Sequence, residues 1–280
     1  MIRTIGRLSR NVWHQYTVFA LLIQAPLTGA LYAGFERSPL PPAAAGRGGA
    51  CAATEGTAMF WRNPASVTGM TAVLLSAVPS PYGLPPLSGA SASVQSKLWE
   101  TATAVGISSV GSSMYREVQG AWSAARGVTD RVTAGVSLRV YHVSVRRYGS
   151  ASALGVDAGV RIDAGGGVSL GAALTNLGGA RLAGGDELPR MVTGGAAYSP
   201  AEGALIAADI VHETDRPAFI RAGAEVRLAG AFVVRGGYDG SSGELCGGAG
   251  FTAGPVTVDY AVTSHQDLGL SHAVGVTVLL

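Results

Sequence analysis

The sequence predicts an all-β protein, a transmembrane antiparallel β-barrel of about fourteen strands, with twelve the lower count. Two observations carry this. Of the 280 residues, 48% are hydrophobic and only 14% charged, with a mean hydropathy of +0.30, whereas soluble domains carry about 25% charged residues. Yet nothing after residue 33 offers the roughly 18 consecutive apolar residues of a spanning helix. The closed barrel is the other structure that satisfies its backbone inside lipid.

The elements follow in order. Residues 1–33 hold Arg3, Arg7 and Arg10, then an apolar stretch from Thr17 to Leu27, then small residues. That is the layout of a secretory signal peptide, which places the mature chain outside the cytoplasm. Residues 34–66 are rich in Gly, Ala and Pro and lack any strand pattern; they are expected to be a periplasmic or plug-like segment, with the N-terminus on the periplasmic side. Residues 67–280 are expected to form the barrel.

Alternation of period two defines the strands. In "RVTAGVSLRVY", Val132, Ala134, Val136, Leu138 and Val140 share one face; in "LGVDAGVRID", Leu154, Val156, Ala158, Val160 and Ile162 do. "AFIRAGAEVRL" sets Ile220, Ala222, Ala224, Val226 and Leu228 against Arg221, Gly223, Glu225 and Arg227. "VTVDYAV" and the closing "HAVGVTVLL" repeat the pattern, and the weakest segments lie near 87–97 and 101–110. A soluble sandwich also alternates, but its outer face carries many more Lys and Glu. The apolar face is therefore assigned to lipid. The polar face, with Asp157, Arg161, Asp163, Asp209, Arg221, Glu225, Arg227, Arg235, Asp239 and Asp259, is assigned to the lumen. Both signs of charge are present, so a partly filled structural lumen is expected, not a charge-selective pore. Ala224 at mid-strand should not tolerate arginine, while Gly223, facing the lumen, should accept serine with little cost.

Several functions find no support. A net charge of +2 with no basic cluster excludes a nucleic-acid partner. The five histidines show no metal-ligand spacing, "GSASA" at 149–153 is not a nucleophile elbow, and "GGAGFTAG" precedes no helix. No catalytic residue, metal or other cofactor is expected. Cys51 and Cys246 are expected as unpaired thiols.

Three segments resemble FadL-like outer-membrane barrels and their PorV/PorQ relatives. "GRGGACAATEGTAMFWRNPASVTGM" is similar to the family's Gly-rich lead into an Asn-Pro-Ala motif, through Phe60, Trp61, Asn63, Pro64 and Ala65. Arg62 departs from it as an insertion, and Ser66 replaces a glycine. "TNLGGARLAGGDELPR" matches through Asn176, Leu177, Gly178, Leu188, Pro189 and Arg190; "HQDLGLSH" matches through Asp267, Leu268, Gly269 and His272. Leu280 stands where such barrels usually end on an aromatic. The local similarity leans toward PorV/PorQ. The resemblance implies a barrel in the outer membrane of a diderm bacterium, with outer-membrane lipid around it and the residues before the barrel as a hatch. It also implies one of two roles. The first is a passive route for hydrophobic small molecules such as long-chain fatty acids. The alternative is a carrier or anchor that works with type IX secretion-system proteins.

Overall fold

The computed structural model describes residues 34–35, 40–182, 185, 187–214, 216–228 and 230–280. The expected signal peptide lies outside the described residues. Before the first strand the chain makes a short helical turn at Pro42–Ala45 and two 3-10 turns at Met59–Trp61 and Pro64–Ser66. No described helix is long and apolar enough to cross a membrane.

Fourteen strands follow, the higher of the two expected counts. They are β1 (Ala72–Val78), β2 (Gly89–Leu98), β3 (Thr101–Gly111), β4 (Tyr115–Thr129) and β5 (Val132–Val145). Next come β6 (Gly149–Gly165), β7 (Val168–Thr175), β8 (Met191–Tyr198), β9 (Ala204–Glu213) and β10 (Phe219–Leu228). The last are β11 (Phe232–Asp239), β12 (Glu244–Ala253), β13 (Val256–His265) and β14 (Gly269–Leu279). The first strand begins at Ala72, so Val67 to Thr71 are a link out of the lumen and not strand.

Every strand pairs antiparallel with its sequence neighbours, and β14 returns to β1 through Ala72↔Leu279 to Ala77↔Val274. Closure removes the unpaired edge that lipid could not solvate. The turns at the end that holds Leu280 are short, such as residues 99–100 and 254–255; the opposite end carries the longer 79–88 and 176–190. Barrels of the outer membrane place short turns in the periplasm and longer loops outside the cell, which orients this one.

Alternation becomes orientation. Leu154, Val156, Ile206, Ile210, Ile220, Val226 and Val258 are exposed on the barrel's outside. Ser123 and Ser137 are fully buried inside, joined hydroxyl to hydroxyl. A soluble protein would not offer water so much aliphatic surface; acyl chains accept it. The weak pattern near 87–97 and 101–110 reflects inner faces of small or uncharged residues, Ser91, Ser93 and Gln95 on β2 and Ala104, Gly106 and Ser108 on β3. β4, β5 and β6 are the longest strands, and β7 pairs with β6 only from Ala158 to Gly165. Beyond that point the 176–190 loop takes over, with the Leu177 amide donating to the Val156 carbonyl at 2.7 Å.

Candidate functional site

The lumen is occupied by residues 40–66. Ala50 and Cys51 have no exposed surface, Ala52 and Phe60 about as little, and Asn63 none. The wall accommodates them with glycines. Going along the segment, Pro42 meets Gly275 on β14, and Gly46 meets Gly248 on β12. The Arg47 backbone lies on Gly223 of β10 and Gly237 of β11, which face each other across the ladder. Ala52 rests against Gly171 on β7 and Gly195 on β8; Asn63 to Ala65 rest against Gly159 on β6 and Gly135 on β5. Phe60 and Trp61 lean on Gly106 of β3. From Pro42 to Ala52 the segment thus runs round the inside of the wall, touching the strands from β14 to β7 in reverse chain order. A β-carbon at Gly135 would stand 2.5 Å from the Ala65 nitrogen, and one at Gly106 would stand 2.8 Å from the Phe60 ring. At Gly135 the clash is with main chain, so glycine is needed there for close approach of backbone to backbone; at Gly106 it is with the packed Phe60 and Trp61 rings. This overturns the expectation for Gly223: a side chain there collides with the main chain of Arg47.

Polar contacts fix the segment where the glycines admit it. The Asp209 carboxylate on β9 accepts the backbone N–H groups of Cys51 at 2.8 Å and Ala52 at 3.0 Å. Asn63 closes the 3-10 turn by accepting from the Ala65 N–H at 2.9 Å, while its amide donates to the Ala52 carbonyl at 2.6 Å and the Val160 carbonyl at 3.2 Å. One side chain therefore caps its own turn, ties the segment to itself and ties it to β6. Pro64 then presets φ for the turn that follows. Phe60 and Trp61 stack at 5.1 Å, and the Trp61 indole N–H donates to Ser93 at 3.3 Å. Arg139 on β5 lies 5.4 Å over the Trp61 ring, donates to the Trp61 carbonyl at 2.7 Å and pairs with Asp157 on β6.

The remaining lumen charges pair across strands and with the segment. Glu225 binds Arg47 at 3.0 Å and Arg235 at 2.6 Å, and Arg235 reaches Asp259 at 2.7 Å. Arg221 pairs with Asp239 at 3.2 Å, and Arg161 with Glu55 at 2.6 Å. Asp163 and Arg227 keep the inward parity of their strands but lie past the filled zone, exposed at the rim with the short turns. Arg47 and Glu55 carry no signal in the sequence, and only the strand register brings Arg139 beside Asp157.

Asn176 is fully buried with φ +55°, its N–H donating to Asp157 at 2.9 Å and its amide to the Leu188 carbonyl at 2.9 Å. It anchors a loop whose Leu182 and Leu188 pack with Phe35 and Tyr141. Gly34 and Phe35 therefore lie near the long-loop end, beside Tyr115 and Tyr141, and not on the periplasmic side where the N-terminus was expected. His272, matched in the closing motif, faces outward and accepts or donates with the Tyr260 hydroxyl at 2.6 Å.

Two cavities flank the segment. One of about 240 Å³ faces the long-loop end and is lined by Leu40, Arg62, Tyr82, Leu87, Arg221 and Glu244 among others. The second, of about 410 Å³, faces the short-turn end between Thr54, Glu55, Arg161 and the residue 199–204 turn. Burial pushes the Cys51 thiol up to about 11, with Asp209 adding to the effect. Burial, then Arg221, pulls Arg62 down to about 10. Cys51 and Cys246 are both free. Among the described residues no His, Cys, Asp and Glu cluster suits a metal ion.

No family model and no curated protein matches the chain by sequence. Solved structures do match by shape. The Ralstonia pickettii toluene transporter TbuX is 16% identical with a TM-score of 0.65, over 88% of this chain and 98% of that one. The CymD monoaromatic hydrocarbon channel is 14% identical with a TM-score of 0.66, over 88% and 99%. A Pseudomonas aeruginosa FadL homologue is 10% identical with a TM-score of 0.64, over 88% and 99%. Fold and exterior together define a closed outer-membrane β-barrel. Its architecture is similar to that of these solved barrels.

Proposed function

We propose that this protein is a passive outer-membrane route for hydrophobic small molecules, with residues 34–66 as its hatch and Phe60, Trp61, Asn63, Pro64 and Ala65 at the hatch's foot. The observation that carries the reading is the segment standing between two cavities, one open toward each end. A general porin leaves an aqueous lumen; here the lumen is packed, and passage needs a molecule that enters one cavity and displaces part of the segment. The matched structures are named for toluene and monoaromatic hydrocarbons, which favours small apolar cargo beside the fatty acids that the sequence resemblance suggested. In this reading residues 1–33 direct export. The secretion-accessory role rests on local motif resemblance alone.

Proteoliposomes holding the full mature chain test it. Labelled toluene and a labelled long-chain fatty acid should equilibrate several-fold faster than into empty vesicles, while a sugar of similar mass should not. Hydrophobe flux at the empty-vesicle level would remove the transport reading and leave the secretion alternative.

A further inference from the structure

The outer face of β4–β6 changes character near the long-loop end. From Val132 to Val140 on β5 and from Leu154 to Ile162 on β6, every outward position is apolar. That run meets the roughly 9–11 residues that a strand needs to span hydrocarbon. The next outward positions are polar. His142 stands opposite Ser152, and a hydrogen bond of 2.8 Å joins their side chains. One outward step further, Arg116, Ser144 and Ser150 form a row across the three strands. The Arg146 N–H donates to the Met114 carbonyl at 2.9 Å, which extends the β4–β5 ladder and sets Arg146 diagonally above Arg116 on the same face. Diagonal neighbours in a sheet are about 7–8 Å apart, so one small group can meet both long side chains. Arg147 and Tyr148 follow in an exposed turn.

The wall does not neutralise these arginines. The side chains of Arg116, Arg146 and Arg147 make no ion pair or hydrogen bond among the described residues. The adjoining carboxylate, Glu117, has inward parity and takes the Tyr115 hydroxyl at 2.6 Å. The patch also belongs to one side of the barrel. Arg116, Ser144 and Ser150 each lie one residue in from the long-loop end of their strands; the residues so placed on β10, β11, β12 and β14 are Ile220, Tyr238, Leu245 and Leu270, all exposed and none charged. A rim made polar only for contact with water would be polar all round. Clusters of basic residues at a membrane surface recognise anionic headgroups, and arginine grips phosphate with paired charge-assisted hydrogen bonds. We propose that the outer face of β4–β6 is a docking site for a phosphorylated outer-leaflet lipid. Its phosphate sits between Arg116, Arg146 and Arg147 with the Ser144 and Ser150 hydroxyls as further donors, and its acyl chains lie on Val140 and Leu154. The site is on the outside of the wall, so it is independent of what crosses the lumen.

The test titrates the full mature chain in detergent with lipid A and with the same lipid stripped of its phosphates, reading the bound fraction by native mass spectrometry. Lipid A should bind at least tenfold more tightly than the stripped lipid. The triple change Arg116→Gln, Arg146→Gln and Arg147→Gln should abolish that preference, with heat-modifiable migration showing that the barrel is assembled. Arg126→Gln with Arg131→Gln, toward the short-turn end, should keep it. Inorganic phosphate in large excess should leave lipid A bound; its full displacement would make a free anion the occupant and overturn the lipid assignment. Equal affinity of the unaltered protein for the two lipids would overturn the proposal without need of any variant, as would a preference that survives the triple change.

Discussion

Gly236 and Gly237 are neighbours on β11, chemically identical and facing opposite sides of the wall. A β-carbon at Gly236 meets nothing within 4 Å; at Gly237 it would stand 2.5 Å from the Gly48 nitrogen and 2.7 Å from the Arg47 carbonyl oxygen. Alanine at either site removes backbone freedom from the unfolded chain and gains the same roughly 0.4–1 kcal/mol. The difference between the two variants therefore isolates the collision, which overpacking studies place at about 1–3 kcal/mol. The wall is tied by ladder bonds to β10 and β12 on either side, so the inner segment should yield first. Urea titrations of folding into lipid vesicles should rank Gly236→Ala at or above the parent and Gly237→Ala below it by that amount. In planar bilayers Gly237→Ala should also conduct ions more often. Identical behaviour of the two variants in both assays would refute the claim that the segment is seated on inward glycines.

Other outcomes follow from the same geometry. Asp209→Ala leaves the N–H groups of Cys51 and Ala52 without an acceptor, which costs about 1–3 kcal/mol each; bilayer recordings should show added conductance, and none would mean that Asp209 does not hold the segment. Cys51, with its thiol raised to about 11, should resist maleimide at pH 7.5 in a Cys246→Ser background and gain reactivity as pH approaches 11 or when Asp209→Ala frees the segment; rapid labelling at pH 7.5 in the parent would contradict its burial. Ala224→Arg, on the lipid face at mid-strand, should cost about 2–4 kcal/mol if it sits at the bilayer midplane, measured by the same vesicle titrations; a neutral result would place the residue elsewhere. Arg139→Ala strands Asp157 and should cost about 3–5 kcal/mol, readable as a lower urea midpoint.

The wall was legible in the sequence because period-two alternation and the shortage of charge are properties of single strands. Val136, Leu138 and Val140 announce their face without knowledge of any partner. Strand count followed from turn residues, and the ambiguous β2 and β3 were those whose inner face is small or uncharged, as at Ser93, Gln95, Ala104 and Ser108. What the sequence did not disclose depends on register and on contact between distant segments. Gly223 looked like spare lumen space; only the path of Arg47 across it shows why a side chain is excluded. Arg139 and Asp157 become a pair because β5 and β6 align Ser137 with Asp157 and bring the next inward residue alongside. The abundance of glycine was visible as 41 residues and suggested room for a plug, but which glycine meets which residue of the segment was not. Asn63 and Pro64 were recognised by resemblance, yet their hydrogen bonds to Ala52 and Val160 need the folded lumen. Asp163 and Arg227 shared the right face but lay too near the strand ends to join the inner network.

The central claim is that residues 40–66 close the barrel from within. Deleting residues 46–58 and recording conductance in planar bilayers tests it most directly, with heat-modifiable migration on gels as the check that the barrel still assembles. The expected result is an assembled barrel with frequent, large ion-conducting openings that the parent lacks. An assembled deletion variant whose conductance matches the parent would contradict it.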